Sequence, residues 1–155
     1  ICRALTIADR SVGILSNGFN TENAEKIARI IYEETKVGAV AITDQEKILA
    51  FVGIGDDHHK PNTPISSQST LDSMEKNDII YLDGAERPYQ CSIAKDCKLG
   101  SALIIPLRAG KEVIGTIKLY EPKLEFKKYR QNSRRQKQQD LQRFYQQDDD
   151  SQLNF

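Results

Sequence analysis

Four side chains in this chain could do chemistry as a set. His58 and His59 are its two histidines and stand side by side, and Cys91 and Cys97 are two of its three cysteines. Zinc takes four tetrahedral ligands from thiolate sulfur and imidazole nitrogen, so the four supply the number and kind of ligand that zinc or another transition metal requires. Their spacing is unconventional. Two adjacent histidines reach one ion only if the backbone bends sharply between them, and Cys-x5-Cys is looser than the Cys-x2–4-Cys of zinc fingers. One histidine, both cysteines and an oxygen from Asp56 or Asp57 make an equally drawable set. The same thiols could serve as a redox pair. A third reading has the histidines capping a loop while the cysteines pack as small hydrophobes.

Other chemistry has weaker support in the residues. Ser66, Ser67 and Ser101 lack the flanking pattern of a nucleophile elbow. A Cys–His nucleophile pair would lack any orienting or oxyanion signature. The sequence therefore assigns no catalytic residue. Gly53-Ile-Gly55 has no third glycine and no helix start behind it, which excludes a phosphate-binding loop. If the domain takes a small carboxylate, Lys60, Arg87 and Lys98, or backbone amides near Gly53 and Gly55, are the groups suited to hold it.

The elements that must position these residues can be read from apolar spacing. Leu5, Ala8, Val12 and Leu15 recur at helical steps over residues 1–16, and Asn17-Gly18 breaks the pattern. Asn20 or Thr21 caps a second helix with Ala24, Ile27, Ala28 and Ile31 inward, which Gly38 is expected to end. Ala39–Thr43 and Ile48–Gly53 read as a hairpin. A short helix over 69–76, with Leu71 and Met74 inward, and strands over 79–82, 103–107 and 113–120 complete the core. In the last strand Val113, Gly115, Ile117 and Leu119 share the face read as core, and the opposite face is read as partly covered. The order predicts an α+β fold, an antiparallel sheet of about five strands with helices packed mainly on one face. His58 and His59 then follow one strand, and Cys91 and Cys97 precede another, on loops able to meet over the sheet.

Composition bounds the rest. With 155 residues the chain has room for one core without disulfide support. Lys plus Arg balances Asp plus Glu at 22 each, which removes any global field favouring nucleic acid or membrane surfaces. No apolar run approaches the roughly 20 residues of a membrane span, and no signal peptide is evident. An odd cysteine count favours a reducing compartment. The chain opens Ile-Cys-Arg rather than with Met, as expected of a fragment. Three parts are expected: an N-terminal signalling helix over 1–16, a core over 17–122, and an atypical basic, Gln-rich tail over 123–155. Eight basic residues fall between Lys123 and Arg143 with little apolar patterning, which reads as a solvated, flexible tail or short helix and not as a nucleic-acid arm. Leu141, Phe144 and Tyr145 could make one helical contact patch.

Several stretches, taken together and in order, resemble a known family. They are Gly-Ala-Val-Ala-Ile-Thr-Asp (38–44), Gly-Ile-Gly-Asp-Asp-His-His (53–59), Pro-Ile-Ser (64–66), Cys91-x5-Cys97-Lys-Leu-Gly-Ser, Ile-Pro-Leu-Arg (105–108) and Val-Ile-Gly-Thr-Ile-Lys-Leu-Tyr (113–120). The chain thereby resembles, over residues 1–122, the cytoplasmic GAF domain of the LytS/YpdA family of bacterial sensor histidine kinases, most of all its YpdA branch. The resemblance implies a GAF fold, a homodimer through terminal helices, and a relay between transmembrane helices and a kinase module. That kinase would act on a LytTR-type response regulator in pyruvate-linked signalling. After Pro122 the family continues into an amphipathic helix bearing the phosphoacceptor histidine, whereas here no histidine and no glycine-rich ATP motif follow. The expectation is a regulatory module without kinase activity of its own.

Overall fold

A computed structural model of the chain describes residues 3–15, 17–123 and 135–143. Two units are separable, 1–123 and 124–155. In the second, a helix at 135–143 has all its side chains exposed, Leu141 among them. Phe144 and Tyr145 lie outside the described residues.

The first unit runs α1 (Arg3–Leu15), α2 (Thr21–Thr35), β1 (Ala39–Thr43), β2 (Ile48–Gly53), α3 (Gln68–Lys76), β3 (Ile80–Leu82), β4 (Leu99–Ala109) and β5 (Glu112–Pro122). All five strands join one antiparallel sheet in the order β2-β1-β5-β4-β3. The last strand in sequence is thus the central one. The α+β expectation holds, with five strands.

α2 starts where its chemistry says it should, since the Asn20 side chain accepts from the Asn23 amide at 2.9 Å and Glu22 sits in the first turn. It ends earlier than expected. Lys36 takes the left-handed position, with φ 56°, and its amide donates to the Tyr32 carbonyl at 3.0 Å. Gly38 does not cap the helix but lies against β5. Its amide donates to the Tyr120 carbonyl, and a Cβ there would lie 2.8 Å from Pro122 Cδ. The glycine is needed for this close approach of the chain to β5.

α1 and α2 are linked by Arg10, which donates to Glu34 at 2.8 Å and to Glu33 at 3.3 Å. Leu5 and Ala8, which the spacing marked, are not on the stripe that α1 turns inward. Ile7 and Ile14 pack on the core with Ser11 between them, 7% exposed, whereas Leu5 is 66% exposed and Ala8 is exposed. The side chains of Val12 and Leu15 lie outside the described residues. Ser11 in the buried stripe breaks its apolar periodicity, so the spacing marked the line of Leu5 and Ala8 instead.

The sheet carries apolar side chains on both faces. One cluster joins Ala24, Ile27, Ala28 and Ile31 of α2 to Val40, Ile42 and Val52. The other gathers Ala41, Phe51, Ala102, Ile104 and Tyr120 with Leu82, Tyr89, Cys97 and Leu99. Thr116, Lys118 and Tyr120 are therefore buried, at 0, 5 and 1% exposure. The β5 face expected to be partly covered is the more deeply buried one, because the segment around Tyr89–Cys97 folds over it. α3 packs on β4 and β5. It buries Thr70 and Ser73 instead of the expected Leu71, which is 38% exposed, and Met74, which is half-buried. Ser73 tolerates burial because its hydroxyl donates to the Asp78 carbonyl at 2.7 Å.

Candidate functional site

The loop after β2 is wound tightly. The amide of Ile54 donates to the Gly38 carbonyl, Asp56 to Gly53, and both His58 and His59 to the single carbonyl of Gly55. Gly53 and Gly55 have φ of 114° and 97°, in the left-handed region where a Cβ is strained. A Cβ on Gly55 would also lie 3.0 Å from His59 Cδ2 and 3.5 Å from His58 Cε1. The turn at Gly55 brings the two imidazoles onto the same side, with ring centroids 4.3 Å apart. That resolves the backbone problem that adjacent histidines pose.

The second loop arrives from beyond β3. The Tyr89 amide donates to the Gly100 carbonyl at 3.0 Å, and Cys91 and Cys97 then face the histidines. Among the described residues one ligand atom from each of His58, His59, Cys91 and Cys97 lies within 4.8 Å of the others. His59 Nε2 is 3.5 Å from the Cys91 sulfur and 3.9 Å from the Cys97 sulfur. His59 and Cys97 are buried, while His58 and Cys91 are half-buried. Both cysteines are free thiols; Cys2 lies outside the described residues.

Each ring is held. His59 stacks on Phe51, with centroids 4.6 Å apart and planes 13° from parallel. Tyr120 stands behind it at 6.3 Å and meets Tyr89 edge-on at 5.0 Å. Lys118 Nζ lies 5.6 Å from the Tyr120 ring centre. His58 is oriented through Nδ1, 2.9 Å from the Asp57 carboxylate. Its Nε2 is buried without any hydrogen-bond partner, an uncommon condition for a buried nitrogen. Asp57, drawn from sequence as an alternative ligand, stands outside the four and contacts His58 instead; its side chain is 81% exposed. Asp56 is exposed as well.

Electrostatics act differently on the members of the set. Burial, then the neighbouring His58 and Lys118, pull His59 down to about 4, so its imidazole is neutral at physiological pH. Burial pushes the Cys91 thiol up, but the Ala94 and Ile93 amides donating to its sulfur, aided by His58, reverse this and leave it lowered. Burial raises the Cys97 thiol, and the Cys91 sulfur beside it adds to the rise. Burial raises the Tyr89 phenol. The hydrogen bond to His58 lowers the Asp57 carboxyl.

The residues suited to a carboxylate do not converge in this way. Gly53 is consumed by packing, since a Cβ there would lie 2.5 Å from the Gly38 carbonyl oxygen. Lys60 and Lys98 are exposed. Arg87 lines a cleft of about 410 Å³ together with Ser66, Ser67, Gln68, Gln90 and Ser92. A second cleft of about 400 Å³ is bordered by Cys91, Cys97, Lys95 and Lys123. Lys95 and Lys123 were passed over in the sequence because surface lysines carry no spacing signal.

No protein-family model matches the chain. Among curated proteins it is 56% identical over 121 residues to the sensor histidine kinase BtsS of Escherichia coli K12, covering 77% of this chain and 22% of that one. It is 36% identical over 118 residues to the sensor protein LytS of Oceanobacillus iheyensis, covering 76% and 20%. The chain thus spans about a fifth of the length of the curated relatives it matches. Among solved structures it is similar to the GAF domain of an Acinetobacter phosphoenolpyruvate-protein phosphotransferase, with TM-score 0.60 and 14% identity over 77% of this chain and 78% of that one. It is also similar to a free methionine-R-sulfoxide reductase from Thermoplasma acidophilum, with TM-score 0.51 and 26% identity over 66% and 77%. The fold and the matched sequence agree on one assignment. The chain has the GAF fold, and its sequence is homologous to a segment of the LytS-type bacterial sensor histidine kinases.

Proposed function

We propose that this domain is the cytoplasmic relay of a LytS-type two-component sensor kinase, passing a conformational signal between a membrane-borne part and a kinase module that addresses a LytTR-type regulator. The observation that supports it most is the 56% identity to BtsS along the GAF fold. No described helix is long and apolar enough to cross a membrane. The chain matches about a fifth of the length of those kinases, and no kinase activity is expected of it alone. The pyruvate-linked stimulus implied by the resemblance would be read elsewhere in the parent.

A relay of this kind works as a pair, and α1 is suited to form it. Its Ile7 and Ile14 are used against the core, which leaves Leu5 exposed on a second apolar line of the same helix. The purified chain is expected to run as a dimer by light scattering, and Leu5→Asp is expected to weaken dimerisation at least tenfold, a loss of about 1.4 kcal/mol. A wild-type monomer at high protein concentration would contradict the pairing. The relay itself is tested by grafting residues 1–122 into BtsS in place of its matching segment and following stimulus-dependent phosphorylation; loss of response in a folded, dimeric chimera would count against it.

A second reading, a small-molecule regulatory site, is favoured by the polar cleft around Arg87. Thermal-shift titration with small carboxylates and cyclic nucleotides tests it, because a ligand at 100 times its Kd adds about 2.7 kcal/mol. No shift across the series would argue against it.

A further inference from the structure

The geometry points to a closed zinc centre formed by His58, His59, Cys91 and Cys97, which clamps the loop after β2 to the loop before β4. The proposal goes beyond the relay reading and does not depend on it. Zinc bonds of about 2.0–2.3 Å in a tetrahedron place the ligand atoms roughly 3.3–3.8 Å apart. The His59 nitrogen already stands 3.5 and 3.9 Å from the two sulfurs, and no pair among the four ligand atoms exceeds 4.8 Å. Shifts of about 1 Å or less complete the tetrahedron.

Three further observations support the assignment. The buried, partnerless Nε2 of His58 gains a ligand that satisfies it. Asp57 on the opposite nitrogen is the carboxylate that commonly fixes the tautomer and ring plane of a metal-bound histidine. Two thiolates and two neutral imidazoles balance the dication, so the filled centre is electrically neutral, as its burial beside Phe51 and Tyr120 requires. A tetrahedral set of two sulfurs and two nitrogens selects zinc among the common divalent ions. With all four positions taken by protein, the centre has no open site for hydrolysis. Its work is structural: it ties the two loops together over the β5 face of the sheet.

The test uses the whole chain, produced without a histidine tag. Metal analysis is expected to find about one zinc per chain. Cys97→Ser and His58→Ala should lower it at least tenfold, while Cys2→Ser should leave it unchanged. A strong chelator should lower the melting temperature of the wild type and have little effect on Cys97→Ser. If a ligand variant does not fold, cobalt added to the stripped wild-type chain gives a second readout. Tetrahedral thiolate ligation produces intense visible bands and a sulfur-to-cobalt charge-transfer band. A metal-free preparation that gives only the pale spectrum of oxygen-ligated cobalt would overturn the proposal. So would a Cys91–Cys97 disulfide found in place of metal in freshly purified, unoxidised protein.

Discussion

Gly115→Ala is expected to destabilise the domain by about 3 kcal/mol or more, at the upper end of what forced overpacking costs. Gly115 lies in β5, the central strand, paired with Leu107 of β4, and its neighbour Thr116 pairs with Thr43 of β1. A Cβ built there falls inside the carbonyl oxygen of Thr43 and comes within 3.1 Å of Asp44 Cα. Both obstacles are backbone, held by the ladder on one side and by the Asp44 turn on the other, where the Asp44 carboxylate accepts from the Glu46 and Lys47 amides. No side chain can swing away to make room, so β1 must part from β5 or the turn must break. Against a total stability of about 5–15 kcal/mol, the variant should unfold at much lower denaturant or be recovered insoluble. Gly18→Ala is the control. That glycine also has a positive φ, 102°, but a Cβ there meets nothing within 4 Å, so only the strained dihedral is felt, about 1 kcal/mol. Equal denaturation midpoints for Gly115→Ala and wild type would contradict the placement of β1 against β5.

Tyr120 gives the second large effect, and its sign depends on what replaces it. Tyr120→Ala should cost about 3–5 kcal/mol, as for other large aromatic truncations. The ring is 1% exposed and stands among Phe51, Tyr89 and His59. Tyr120→Phe should be neutral or stabilising. The hydroxyl is buried with no hydrogen-bond partner, and an unsatisfied buried polar group costs about 1–3 kcal/mol. Chemical denaturation of both variants separates ring from hydroxyl. A phenylalanine variant damaged as severely as the alanine one would mean that the hydroxyl has a partner after all.

The residues that were legible in the sequence were those whose local chemistry agrees with their surroundings. Asn20 reads as a helix cap and is one; the β-branched runs of β1 and β2 read as strands and are buried. The failures share a cause. Ser11 in α1, Thr70 and Ser73 in α3, and Thr116 and Lys118 in β5 are polar residues at buried positions. A pattern of apolar spacing therefore passes over the faces that carry them. Tertiary contacts make two of those positions tolerable: Thr116 shares a 2.7 Å hydrogen bond with Thr43, and Ser73 donates to the Asp78 carbonyl. No local signal announces such partners.

The candidate site was legible for a different reason. Histidine and cysteine carry their chemistry in their type, so His58, His59, Cys91 and Cys97 could be grouped before any distance was known. Spacing could not say whether the two loops meet, nor that Gly55 would turn both imidazoles the same way. It also could not show that Asp57 faces the far nitrogen of His58.

The most direct measurement is X-ray absorption at the zinc edge on the purified, untagged chain. Two sulfur ligands at about 2.3 Å and two nitrogen ligands at about 2.0–2.1 Å are expected, with one sulfur lost in Cys97→Ser. A shell of oxygen and nitrogen alone, or a wild-type preparation with no zinc edge, would contradict the zinc centre.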